Sequence, residues 1–139
     1  MLNRYDALLK GVREFDNYWS DVGMSDAIDL LEAFSDADWA GLEMLAAQRP
    51  PLWQVSCAET LGEVTNTQRS FELLLQLMQI GNDEVTIASL DSINALASYG
   101  LDITGKSTQL RSGITKARSS AGAAVTRMLN ALEEKLPAA

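Results

Sequence analysis

The sequence predicts an all-α protein of about seven helices, joined by short loops and packed as antiparallel hairpins in an α-solenoid or an irregular bundle. Three observations carry this prediction. Apolar residues recur at spacings of three and four along nearly the whole chain. No run alternates with the period of two that a half-buried strand needs. Glycine, proline and asparagine interrupt the helical pattern at short intervals, which sets short connections. Connections this short leave no room for a second domain, so residues 1–139 read as one helical domain.

The first helix is expected from about Leu2 to Trp19, with Leu2, Tyr5, Leu8, Leu9, Val12, Phe15 and Trp19 on one stripe and Gly23 beyond its end. Ser25 reads as the N-cap of a short second helix, with Ile28, Leu31 and Phe34 inward. Ser35 and Asp38 have the spacing of a capping box before a third helix bearing Trp39, Leu42 and Leu45. Pro50 and Pro51 stop that helix, and the second proline suits the first turn of the next, expected over about Leu52 to Val64. Asn66 and Thr67 break it before a fifth helix, Arg69 to Ile80. Gly81 is a natural C-terminal residue, and Asn82 or Asp83 caps a sixth helix that ends at Tyr99 and Gly100. The last helix is expected after Ser107, as one stripe from Leu110 to Leu136.

Composition excludes several chemistries. Histidine is absent, which removes the commonest general base, the Ser-His and Cys-His nucleophile pairs and every imidazole metal ligand. The single cysteine, Cys57, can form neither an intramolecular disulfide nor a cysteine-based zinc site. Apolar runs are only a few residues long, and Met1–Gly11 carries Asp6 and Lys10 where a secretory leader would be apolar. The expectation is a cytoplasmic protein, with no membrane partner, no cofactor and no enzymatic activity.

Charge is unevenly placed within a net −8. Residues 14–48 hold nine acids and no base: Glu14, Asp16, Asp21, Asp26, Asp29, Glu32, Asp36, Asp38 and Glu43. One reading is a solvated face whose first-turn acids complement helix dipoles. The other is a surface for a basic protein, with Trp19, if partly exposed beside Asp16 and Asp21, as its anchor. Residues 103–132 hold five bases and no acid. These form either an internal counter-face to the acidic helices or a phosphate-binding helix. A net acidic surface argues against nucleic acid as the partner.

The remaining motifs are weak. Gly100 to Ser107, GLDITGKS, meets the letters of a phosphate loop. Such a loop follows a strand, however, and residues 83–99 read as helix. Asp29 with Glu32, and Glu59 with Glu63, share helix faces and are expected to be solvated. Without histidine they lack the usual partner of a di-metal carboxylate site. Cys57, Trp39 and Trp53 read as core.

An internal repeat supports stacked hairpins. Residues 53–62 (WQVSCAETLG) align with 85–94 (VTIASLDSIN) at an offset of 32, pairing Trp53 with Val85, Val55 with Ile87, Glu59 with Asp91 and Leu61 with Ile93. Two helices per 32 residues is the size of one solenoid unit. Trp53–Gly62 resembles the second helix of a HEAT-like repeat, and the Gly81–Val85 stretch resembles the turn entering the next. Gln54 and Thr86 stand where HEAT repeats commonly carry an arginine. A small, acidic, HEAT-like chain without catalytic residues resembles the immunity proteins of bacterial polymorphic toxin systems, contact-dependent growth inhibition among them. That resemblance implies tight binding and neutralisation of a cognate toxin with a basic surface, a nuclease for example. The implied contact residues are Asp16, Trp19, Asp21, Asp26, Asp29, Glu32, Asp36, Asp38 and Glu43. The alternative is a helical-repeat adaptor or assembly subunit.

Overall fold

A computed structural model describes residues 1–13, 18–80 and 82–138, without the side chain of Asp21. It contains eight α-helices among the described residues: α1 (Leu2–Lys10), α2 (Met24–Glu32), α3 (Asp36–Ala46), α4 (Pro51–Leu61), α5 (Thr67–Met78), α6 (Asp83–Ser98), α7 (Ser107–Arg118) and α8 (Ala123–Glu134). A π-helical turn, Trp19–Gly23, leads into α2, and a 3-10 turn, Thr104–Lys106, leads into α7. No strand occurs among the described residues.

Several helix ends follow from local chemistry. Ser35 and Asp38 form the expected capping box: the Asp38 amide donates to Ser35 Oγ at 3.1 Å, and the Ser35 amide donates to Asp38 Oδ2 at 3.0 Å. Pro51 occupies the first turn of α4. The side chains of Asn66 and Asn82 accept from the amides of Arg69 and Val85, capping α5 and α6. Gly100, at φ +111°, lets the chain turn out of α6 in a conformation that side chains resist.

Three expectations are corrected. The first helix stops at Lys10, because Gly11 and Val12 are poor helix formers and their amides close back onto Leu8 and Leu9 in a tighter turn. Gly23 does not stop a helix. Its backbone is helical, continues into α2 and leaves Ser25 inside that helix rather than capping it. A Cβ there would lie 3.1 Å from the Trp19 ring, so the glycine serves close packing. The last helix is two, α7 and α8, which raises the helix number from about seven to eight. Ser119 Oγ returns to the Lys116 carbonyl at 2.8 Å, and Gly122 is extended. Serine hydroxyls that compete for terminal carbonyls favour such breaks. Gly81 and Phe15 lie outside the described residues.

The helices stack in two layers. α1, α3, α5 and α7 pack in succession in one layer, and α2, α4, α6 and α8 in the other. α6 bridges the layers through extensive contact with α5 and further contact with α7. This layered, all-helical packing is consistent with either an α-solenoid or an irregular bundle. Three of the four repeat pairs share their environment: Trp53, Val85, Leu61 and Ile93 are buried, and Val55 and Ile87 are half-buried, whereas Glu59 is half-buried and Asp91 exposed. The buried core includes Trp39, Trp53, Leu61, Leu74, Leu90, Ile93, Leu110 and Leu129.

The N-terminal end is fixed by an aromatic and polar knot. Tyr5 meets Phe34 and Trp53 edge to face, with ring centres 5.6 and 6.3 Å apart. Thr60 donates its one hydroxyl proton to the Cys57 carbonyl, so the Tyr5 hydroxyl is the donor in the 2.8 Å contact with Thr60 Oγ1. Asp6 accepts from Arg49 Nε at 2.9 Å, Arg49 Nη2 at 2.7 Å and Trp53 Nε1 at 3.0 Å, tying α1 to α4. Two glycines allow helices to approach closely within a layer. Gly62, at the end of α4, faces Ser92 of α6, and Gly113 of α7 faces Met78 of α5. Among the described residues no helix is long and apolar enough to cross a membrane.

Candidate docking groove

A groove of about 640 Å³ runs across the layer of even-numbered helices. Its floor is apolar: Met24 from α2, Ile87, Ala88 and Ala95 from α6, and Ala124, Val125 and Met128 from α8. The alanines keep the floor low, and the methionines give it adaptable walls. Gly62 and Ser92 close it where α4 meets α6, and Ser92 Oγ donates to the Ala58 carbonyl at 2.6 Å.

Its polar lining is acidic. Glu59 comes from the last turn of α4, Glu63 from the turn just after it, and Glu84 and Asp91 from α6. No lysine or arginine lines the groove, and none of the six ion pairs among the described residues involves these four acids. Glu59 is half-buried and takes one hydrogen bond, from Trp19 Nε1 at 3.4 Å. Burial raises its pKa above the ordinary glutamate value; the indole donor opposes this, and the negative charge of Asp91 adds to it. Asp6 shows the contrast. Hydrogen bonds from Arg49 outweigh its partial burial and hold its carboxyl below the ordinary value. The groove acids thus stand beside an apolar floor with no lysine or arginine among the lining residues. Among the described residues no three metal-capable side chains converge on one point, so the acids form a strip rather than an ion cage.

The described acids of residues 14–48 are divided between α2 and α3. Asp26 and Asp29 are exposed on α2 and line a shallow cleft beside Arg4. Glu32 is engaged with the loop before α5, accepting from the Thr65 amide at 2.7 Å and the Thr65 hydroxyl at 2.6 Å. Asp38 is held in its capping box and also accepts from the Leu2 amide at 3.4 Å. Glu43 pairs with Arg69 at 3.0 Å, and the same guanidinium lies 3.7 Å from Asp36, whose side chain is almost wholly exposed. Trp19 is 7% exposed, buried rather than partly exposed as an anchor would be. Glu14, Asp16 and the Asp21 side chain lie outside the described residues.

The basic segment does not face those acids. α7 packs chiefly on α5, α6 and α8, and Arg118 pairs with Glu133 of its own hairpin at 3.4 Å. Arg111 Nη2 donates to the Pro137 carbonyl at the chain's end. The GLDITGKS segment follows helix α6 instead of a strand, and Asp102 accepts from the Thr104 amide and hydroxyl in a local turn. It connects α6 to α7 and lacks the preceding strand from which a phosphate loop springs. Cys57 is fully buried, its thiol pushed up to about 12 by burial.

Sequence reasoning treated Glu59 and Glu63 as an ordinary solvated pair. Two signals could have found the groove. The repeat alignment places Glu59 and Asp91 at one position of neighbouring helices. Between Arg69 and Lys106 the chain has five acids and no base. Comparison with known proteins gives no matching family model, no matching curated protein and no matching solved structure.

Proposed function

We propose that the protein is a non-enzymatic inhibitor that captures a basic partner protein in the acid-lined groove of the even-numbered helices. The observation that carries this reading is the groove itself: an apolar floor for contact area, and four acids without a cation among them. Such a surface repels acidic proteins, speeds encounter with basic ones, and gains most when a partner's cation replaces lost hydration. The resemblance to toxin immunity proteins supplies the narrower form. The partner is then a toxin domain with a cationic, phosphate-binding surface, and binding covers that surface or one beside it.

The test is capture from the source cell at low salt, with stepwise salt elution and mass spectrometry. It runs in parallel on the wild type, on Glu59→Gln with Asp91→Asn, and on Asp26→Asn with Asp29→Asn. The two double variants lose the same charge from different surfaces. A stoichiometric basic protein that the groove variant alone fails to hold supports the reading. If only the α2 variant loses it, the surface is the α2 face anticipated from sequence and the groove is not the site. Expressing the captured protein then separates the two uses. Growth arrest relieved by co-expression supports an inhibitor, and unaffected growth supports an adaptor.

A further inference from the structure

We infer that the groove's occupant is an amphipathic helix of the partner, with an apolar stripe on the floor and lysines or arginines flanking it. This rests on the reading above and makes it specific. The groove's walls are helices, whose backbone groups are consumed internally, and the described residues include no strand. An extended peptide would find no edge to pair with, so recognition falls to side chains. A helix is about 10–12 Å across with its side chains. A groove of about 640 Å³ cannot enclose one, but it can receive one stripe of anchors spaced i, i+3 or i+4, and i+7.

The acids set the positions of the charges. Glu84 and Asp91 are seven residues apart on α6, about 10.5 Å along its axis. A helix lying along α6 meets both with cations seven residues apart, which fall on one face of that helix. Glu59 on α4 and Glu63 in the turn after it stand on the other side, so cations on the other flank meet them. Ala88 and Ala95, also seven apart, share that face of α6 with Glu84 and Asp91 and leave low ground beside them for the apolar stripe.

The test uses synthetic fluorescein-labelled peptides of eighteen residues built from leucine, alanine and lysine. One carries lysines at seven-residue spacing on both flanks of a leucine stripe. A second has the same composition with a central proline, and a third has glutamate for every lysine. Binding is read by anisotropy at two salt concentrations, and helix gain by circular dichroism. The expected result is that the first peptide binds and gains helicity while the other two do not. Affinity should fall at least tenfold for Glu59→Gln with Asp91→Asn and for Ala88→Arg, which fills that low ground. It should stay within about twofold for Asp26→Asn with Asp29→Asn. Should Ala88→Arg fail to fold, the two charge-matched double variants still decide the matter.

Equal binding of the proline peptide would overturn the helical occupant while leaving a basic partner in place. Equal losses in both double variants would show general electrostatic attraction and overturn both readings. Binding of the glutamate peptide would overturn the need for cations. Failure of all three peptides, set against groove-dependent capture from cells, would overturn the helix alone.

Discussion

Replacing Gly62 by alanine isolates the close approach of α4 and α6. The glycine sits at φ −74°, ψ −5°, where any residue is comfortable, so backbone strain does not enter. A Cβ there would lie 2.8 Å from Ser92 Oγ, 2.9 Å from Ser92 Cβ and 3.1 Å from Ser92 Cα. Carbon atoms rest at about 3.5–4.0 Å, so the shortfall is roughly 0.5–1 Å. Turning the Ser92 hydroxyl away cannot relieve it, because one of the crowded atoms is backbone; the helices must part. Overpacking of this kind costs about 1–3 kcal/mol. The stiffer unfolded chain returns about 0.4–1 kcal/mol. The net expectation is a loss of about 1–2 kcal/mol, or about 3–8 °C in Tm for a domain of this size. Urea unfolding should show a lower midpoint at unchanged slope. Removing the Ser92 side chain as well, in Gly62→Ala with Ser92→Gly, should give a loss at least about 0.5 kcal/mol smaller than the sum of the single losses. A Gly62→Ala protein as stable as the wild type, or more so, would refute the argument, since that is what alanine does where nothing crowds it.

Asp6→Asn should destabilise the fold at neutral pH, with the sign of its pH dependence fixed by the depressed carboxyl. The native carboxylate contributes above its unfolded pKa, and that contribution is lost as pH falls through the folded value. Melting curves of variant and wild type should therefore converge below about pH 4; a gap that stays constant to pH 2 would contradict the role of Arg49. Cys57 should stay unreactive toward a disulfide reagent at pH 8 and react fully in urea, and rapid labelling of the native protein would show that α4 is not packed as described. Asn82→Ala removes the acceptor for the Val85 amide and should cost about 1 kcal/mol in urea unfolding; no measurable loss would mean that water serves that amide equally well.

The helical class and most boundaries were legible because they depend on nearest neighbours in the chain. Ser35 with Asp38, Pro51 and Asn82 act within one turn, and each is found where its chemistry predicts; Asn66, expected with Thr67 only as a break, caps α5, and Thr67 begins it. The repeat was legible too, since a stripe that fits a layered stack must recur with the stack's spacing. The break at Ser119–Gly122 was hidden because the apolar stripe resumes in register on its far side. The end of α1 was hidden because Phe15 and Trp19 continue its periodicity past Gly11 and Val12. The site was the least legible. Periodicity shows which face of a helix is inward but not which outward faces meet. The run of acids at 14–43 is dense in sequence but divided in space between α2 and α3, where Arg69, Thr65 and the capping box take up several of them. Glu59 and Asp91, 32 residues apart, come together because α4 and α6 are neighbours in one layer.

The contact between Gly113 and Met78 lies on the far side of the molecule from the acids, yet it bears on them. A Cβ on Gly113 would fall 2.6 Å from Met78 Sδ, so the bare glycine is what lets the Met78 side chain of α5 lie against α7. α6 rests on both, and α8 rests on α6 and α7. A larger side chain at Gly113 would have to turn Met78 aside or part α5 from α7, and a parting would reach the cleft through α6 and α8. A lineage could widen or narrow it for a different occupant by exchanging one small side chain on the opposite face, with every residue that touches the occupant left as it was.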